Sequence, residues 1–117
     1  MRIGVDFGGT KIEAAALDAS GAVAARRRAP NPGKYLAAIQ SVVLLVEAVE
    51  AEIGTRVPAI GVGAPGSVSP ATGRMRNANS TWLNDQPFRE DLEAALGRPV
   101  PAAAAAVTAT TGVRTAA

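Results

Sequence analysis

The sequence predicts an α/β fold, a mixed sheet with flanking helices, on three observations. Apolar and polar residues alternate in three successive short segments between residues 2 and 29. Apolar residues then recur at helical spacing over residues 35–53, and a fourth alternating segment follows at residues 60–64. Three strands joined by tight turns form an antiparallel meander, whereas a strand reached through a long helix is set parallel to its neighbour by the crossover.

Each element has a local reason. In "RIGVDF" Ile3, Val5 and Phe7 alternate, so a first strand is expected to end at Asp6. Residues 11–17 set Ile12, Ala14 and Ala16 against Glu13, Ala15 and Leu17, a second strand, so Gly8 and Gly9 fall in a hairpin turn. "DASG" at residues 18–21 is a second turn, with Gly21 where a positive φ is tolerated, and "AVAARRRA" returns as the third strand. "PNPG" breaks the meander. Tyr35, Leu36, Ile39, Val42, Val43, Val46, Val49 and Ile53 then mark a helix stopped by Gly54. "VPAIGVGAPG" alternates Ile60, Val62 and Ala64 before a glycine and proline stop, a fourth strand with a tight loop at its end. "SVSPATGRMRNANSTWLND" reads as a hairpin around residues 71–73 and a loop. "PFREDLEAALG" reads as a short helix with Pro87 near its start, Phe88, Leu92 and Leu96 on one face, and Gly97 past its end.

The chain of 117 residues has one domain's length, and although 48% of it is apolar, only 3% is aromatic and much of the rest is alanine, so its core is modest. There is no Cys and no His, which excludes a disulfide framework and any thiolate or imidazole metal site and suits a reducing cytoplasm. The longest apolar run, "SVVLLVEAVEA", is broken by glutamates and falls short of a bilayer span, and the first strand begins where a leader would stand, so no membrane partner and a cytoplasmic location are expected. The net charge is +2, and the basic run at residues 26–28 has no interleaved aromatics, which makes it a solvated strand face rather than a nucleic-acid surface.

Three clusters carry candidate chemistry. In "VDFGGTK" the amides of Gly8 and Gly9, the Thr10 hydroxyl and Lys11 form an anion cradle, with Asp6 placed for the metal that accompanies a nucleotide. The stretch fits neither the P-loop nor the dinucleotide fingerprint, and an ordinary glycine turn is the alternative. In "GAPGS", Gly63 and Gly66 let backbone approach a ligand at a strand end, or simply turn the chain. In "NANSTW", Asn79 offers an amide that matches the paired donors and acceptors of sugar hydroxyls, with Trp82 as an apolar wall or as core.

Taken together and in this order, the clusters resemble the first lobe of the ROK family of sugar kinases, in the actin-like ATPase superfamily. "GVDFGGTK" is similar to that family's first phosphate loop, "GVGAPGSV" to its sugar-side glycine loop, and Asn79 with Trp82 to its sugar segment. "NANSTWLNDQPF" and the later "GRPV" are similar to the fructokinase and mannokinase branch. The resemblance covers residues 1–100 and implies a ribonuclease-H-like lobe, with the turn holding the β and γ phosphates of ATP. On that pattern Asp6, Gly8, Gly9, Thr10 and Lys11 contact ATP, Asp6 also serves Mg, and Gly66 and Asn79 contact a hexose, fructose by branch. The family also admits a homo-oligomer.

The pattern is departed from after Val100. Family members resemble one another there in an Asn-Asp-Ala segment whose aspartate is the general base, and its aspartate position falls on Ala105; no carboxylate follows Glu93. The second lobe, the adenosine loop and a Cys-rich zinc segment are expected to be missing as well. Residues 101–117 are an Ala-rich stretch without a period, expected to be disordered or the product of a reading-frame change, with a divergent domain as the alternative. The expected function is that of a truncated ATP-dependent hexose kinase, inactive alone. Two other classes are a non-catalytic sugar or nucleotide binding module and a ROK-type sugar-responsive regulator, though with Met1 five residues ahead of Asp6 no DNA-binding helix-turn-helix is expected before the lobe.

Overall fold

The computed structural model describes residues 1–63, 67–68, 75–76 and 86–101. In chain order these form β1 (Arg2–Phe7), β2 (Lys11–Leu17), β3 (Val23–Pro30), α1 (Tyr35–Ile53), β4 (Ile60–Gly63), β5 (Ser67–Val68), β6 (Met75–Arg76) and α2 (Phe88–Leu96). Four strands make one sheet in the order β3-β2-β1-β4, with β1–β2 and β2–β3 antiparallel and β1–β4 parallel. This is the meander and crossover that the alternation and the helical run predict. β1 extends one residue beyond the expected Asp6, because Phe7 stays in the ladder opposite Ile12.

The register stacks one apolar face. Ile3, Val5 and Phe7 lie opposite Ala16, Ala14 and Ile12, Ile60 and Val62 continue the layer on the other side, and all eight are buried. α1 covers this layer with Ala38, Ile39, Val42, Leu45, Val46 and Val49. Alanines on β2 let the helix approach closely, which is how a core poor in aromatics still closes. Leu36, expected on the apolar stripe, is instead 76% exposed. It stands about 100° round the helix from Tyr35, off the face that meets the sheet. Gly54 ends α1 with φ 76, its N–H donating to the Glu50 carbonyl at 2.8 Å, as its position in the sequence predicts.

The second face of β2, an interior strand of the sheet, is buried too: Glu13, Ala15 and Leu17 are 4%, 0% and 0% exposed. The strand edge belongs to β3, where the third strand's arginines sit. Arg27 reaches Glu52 of α1 at 2.5 Å, and Arg26 approaches Glu13 at 3.7 Å. A bulge at Ala16 and Leu17, which pair with Ala25 and Val23, leaves Ala24 without a partner in the ladder. β5 and β6 pair antiparallel, Ser67 with Arg76 and Val68 with Met75, and the turn expected at residues 71–73 lies outside the described residues. No helix of the described residues is long and apolar enough to cross a membrane.

α2 buries Phe88, Leu92 and Leu96, the three positions its spacing predicts, and Pro87 sits just before its first turn. Glu90 and Asp91 in that turn complement the positive end of the helix. Beyond Gly97 the chain returns to the open edge of β4, where Ile60 N–H donates to the Pro99 carbonyl at 3.1 Å. Arg98 pins this return. Its guanidinium makes a two-pronged pair with Glu50 at 2.6 and 3.1 Å and donates to the Val57 carbonyl at 3.0 Å, while Glu50 also accepts the Val57 N–H at 2.8 Å. Burial raises the Glu50 pKa, but the Arg98 and Val57 hydrogen bonds and the charges of Arg98 and Arg56 outweigh it, and the carboxyl is held below its ordinary value.

Candidate phosphate turn and sugar side

The turn between β1 and β2 is built from the strand ends upward. Phe7, the last residue of β1, is buried edge-on against Phe88 of α2 with ring centroids 4.8 Å apart, and Phe88 in turn lies 6.5 Å from Tyr35 at the start of α1. The Tyr35 hydroxyl donates to Asp91 at 2.5 Å, and burial, together with that carboxylate, holds the phenol above its ordinary pKa. Three elements therefore converge beneath the turn and fix its base.

Above that base, Gly8 N–H donates to the Lys11 carbonyl at 2.9 Å. A Cβ at Gly8 would sit 2.7 Å from that same carbonyl oxygen, so the position requires glycine on steric grounds. Gly9 and Thr10 form an exposed bend, and none of the described residues takes their N–H groups. Two adjacent amides and a hydroxyl on an exposed bend are suited to an anion. Asp6, Lys11 and Glu13 share the sheet face away from α1, with Asp6 directly opposite Glu13 and beside Gly63 in register. The Asp6 carboxylate beside a phosphate cradle, with Glu13 opposite it, is a donor set that fits Mg, which takes one or two carboxylates together with phosphate oxygens and water. Among the described residues no group of three or more acids, His or Cys forms a metal cluster.

The structure thus brings together Asp6, Gly8, Gly9, Thr10 and Lys11 and places Gly63 next to Asp6. Gly66, Asn79, Trp82 and Ala105 lie outside the described residues. One residue at this site is absent from the sequence reading. Asn31 donates its backbone N–H to the Thr10 carbonyl at 2.9 Å and its side-chain amide to the Gly8 carbonyl at 2.8 Å, and its own Oδ1 accepts Gly33 N–H at 3.0 Å. "PNPG" reads in sequence as a breaker only, and no local pattern signals contact with a turn 23 residues earlier. An open depression lined by Arg56, Val57, Pro58, Gly97, Arg98 and Pro99 lies at the opposite end of the sheet, and its Arg98 is committed to Glu50.

Comparison with known proteins agrees with this architecture. The sequence pattern of the ROK family matches residues 2–115. The glucokinase of Streptomyces coelicolor is 33% identical over 100 residues, covering 86% of this chain and 31% of the glucokinase. The N-acetyl-D-glucosamine kinase of Pasteurella multocida is 36% identical over 103 residues, covering 87% and 34%. Among solved structures, a ROK family glucokinase from Streptomyces griseus in complex with glucose and AMPPNP superposes with a TM-score of 0.74 at 28% identity, over 85% of this chain and 31% of that one. The chain spans about a third of the length of the relatives it matches. With the family's pattern running through nearly all of its residues and the ribonuclease-H-like α/β lobe of the actin-like ATPases as its fold, the chain belongs to the ROK family.

Proposed function

We propose that this chain supplies the phosphate-binding side of an ATP-dependent hexose kinase. The observation that carries the reading is the exposed bend at Gly9 and Thr10, held open on a buried aromatic base, with Asp6 at the end of the adjoining strand. In such a kinase the sugar hydroxyl attacks the γ-phosphorus, the bond to the bridging oxygen breaks, ADP leaves, and the hydroxyl proton passes to a base. The amides of Gly9 and Thr10 and the Thr10 hydroxyl would hold phosphate oxygens. Gly8 lets the strands close behind them, and Lys11 adds positive charge on the Asp6 face. Asp6 would hold Mg, which would supply positive charge against the charge that develops during the transfer.

Gly66 and Asn79 are the proposed hexose contacts, on their match to the sugar loop and sugar segment. Fructose is the proposed hexose, on the run "NANSTWLNDQPF". The base has no candidate after Glu93, since Ala105 stands where the family pattern has its aspartate. We propose residues 1–100 as the kinase lobe, since Val100 is 2% exposed and its N–H donates to Glu93 at 2.9 Å, and residues 101–117 as an aberrant Ala-rich stretch, disordered or frameshifted, although the family's pattern extends to residue 115. Reading the gene past codon 100 in all three frames tests the second part; an Asn-Asp-Ala segment in another frame is the expected result.

The reading is tested by calorimetric titration of the purified chain with Mg-AMPPNP, followed by fructose, glucose and N-acetylglucosamine monitored through Trp82 fluorescence. Saturable AMPPNP binding that is lost in Asp6→Ala is expected, with fructose strongest of the three sugars. Binding unaffected by Asp6→Ala overturns the assignment of the turn, and a different sugar order overturns fructose.

A further inference from the structure

We propose that Asn31 is a positioning residue for nucleotide phosphate: it clamps the turn at residues 8–10 from behind through the Gly8 and Thr10 carbonyls, so that the Gly9 amide, anti to the Gly8 carbonyl across a planar peptide, stays directed away from Asn31 before any ligand arrives. This rests on the reading of that turn as a phosphate cradle.

The clamp has two points, one on each side of Gly9. The Asn31 backbone N–H takes the Thr10 carbonyl at 2.9 Å and its side-chain amide takes the Gly8 carbonyl at 2.8 Å. Both carbonyls flanking Gly9 are thereby drawn toward β3 and away from the bend's outer surface. A two-residue hairpin turn ordinarily closes with an internal bond from its last residue to the carbonyl of its first. Here the bend at Gly9 and Thr10 is closed by Gly8 N–H donating to the Lys11 carbonyl at 2.9 Å, while among the described residues the Gly8 carbonyl accepts from Asn31 rather than from across the turn.

The clamp is itself fixed. Asn31 Oδ1 accepts Gly33 N–H at 3.0 Å, which leaves Nδ2 as the group that faces Gly8. Pro30 and Pro32 restrict the backbone on either side, and Gly33 adopts φ 75, a value open to glycine, to let its amide turn back. Asn31 is half-buried, so these bonds are partly shielded from water. Only a side chain with both a donor and an acceptor at this reach satisfies both contacts. Asp lacks the donor, and Ser is too short to span them.

The consequence is preorganisation. A glycine-rich bend that is free in the absence of ligand loses conformational entropy when phosphate orders it, and a bend held in advance does not.

The test compares the full chain with Asn31→Asp, which keeps size and the acceptor for Gly33 but sets a carboxylate oxygen against the Gly8 carbonyl. Asn31→Ser is the milder second variant, whose hydroxyl still serves Gly33. In the ligand-free proteins, 15N relaxation should show the Gly9 amide order parameter falling from the rigid range of about 0.85 toward about 0.6 or below in Asn31→Asp. The dissociation constants of Mg-AMPPNP and of inorganic tripolyphosphate should rise about tenfold in Asn31→Asp and by less in Asn31→Ser, while the melting midpoint moves by only a few degrees. Unchanged Gly9 order in both variants overturns the clamp. Lost order with unchanged affinity for both phosphate ligands overturns its role in positioning. A wild-type chain that binds neither ligand overturns the phosphate reading and this inference with it, an outcome distinct from the others because in those the wild type binds.

Discussion

Gly8 shows how one residue's missing atom sets the site. A Cβ there would meet backbone, the Lys11 carbonyl at 2.7 Å, and backbone in a hydrogen-bonded hairpin cannot yield as a flexible side chain can. Gly8→Ala should therefore lower stability by about 1 to 3 kcal/mol, measured by chemical denaturation, and weaken AMPPNP binding as the turn distorts. Full stability in that variant would show that the hairpin has an alternative closure. Asn79 belongs to the same scale. If its amide both donates to and accepts from a sugar hydroxyl, Asn79→Ala should cost about 1 to 3 kcal/mol of fructose affinity. Trp82 fluorescence titration checks it, and equal affinity removes Asn79 from the site. Glu13 is the residue whose surroundings the alternation of β2 did not disclose. It reads as the polar side of a strand, yet it is 4% exposed opposite Asp6, with Arg26 at 3.7 Å.

At the scale of elements, the joint between α1, the start of β4 and the end of α2 rests on Glu50 and Arg98, whose side chains are 12% and 9% exposed. Removing one partner of a pair so little exposed leaves a guanidinium without its countercharge, so Glu50→Gln should destabilise the lobe by about 3 kcal/mol at neutral pH. The pH dependence follows from the direction of the shift. The Glu50 pKa is lowered from 4.5 in the folded chain, so its contribution is complete above that value and is lost as pH falls through the lower folded one. The stability gap between wild type and Glu50→Gln should accordingly narrow on acidification below pH 4.5. Melting curves at neutral and acid pH check this, and a gap constant with pH would mean that the variant acts through packing rather than charge. The exposed pair of Arg27 with Glu52, 50% and 39% exposed, is worth at most about 1 kcal/mol and does not compete with this joint.

For the whole molecule, the proposed chemistry needs more than this lobe displays. Phosphoryl transfer requires γ-phosphate, metal and hydroxyl in line with a base beside the hydroxyl, and a positioned carboxylate contributes about two to four orders of magnitude. No acid follows Glu93, and the chain spans about a third of its relatives' length. Nucleotide binding without turnover is the expected behaviour of this chain alone. A coupled ADP-release assay with Mg-ATP and the three sugars should show no sugar-dependent rate. A sugar-dependent rate that survives repurification and disappears in Asp6→Ala would place the base elsewhere in the chain.

The sequence by itself determined the elements, because their causes are local. The alternation of Ile3, Val5 and Phe7, the helical stripe through Ile39, Val42, Val46 and Val49, and the glycines at 54 and 97 act within a few residues of one another, and each element lies where they place it. The glycine turn with Asp6 was legible for the same reason, and its family pattern with it. Tertiary structure alone decided what depends on register and packing between distant segments. Burial of both faces of β2 depends on what the fold packs against each of them, and exposure of Leu36 on which side of α1 meets the sheet. The contact of Asn31 with the turn exists only because the β2–β3 ladder sets Lys11 opposite Pro30 and so brings the next residue, Asn31, to Thr10 and Gly8. Hydrogen bonds between residues remote in the chain leave no periodic trace in sequence, since they fix a geometry rather than a composition.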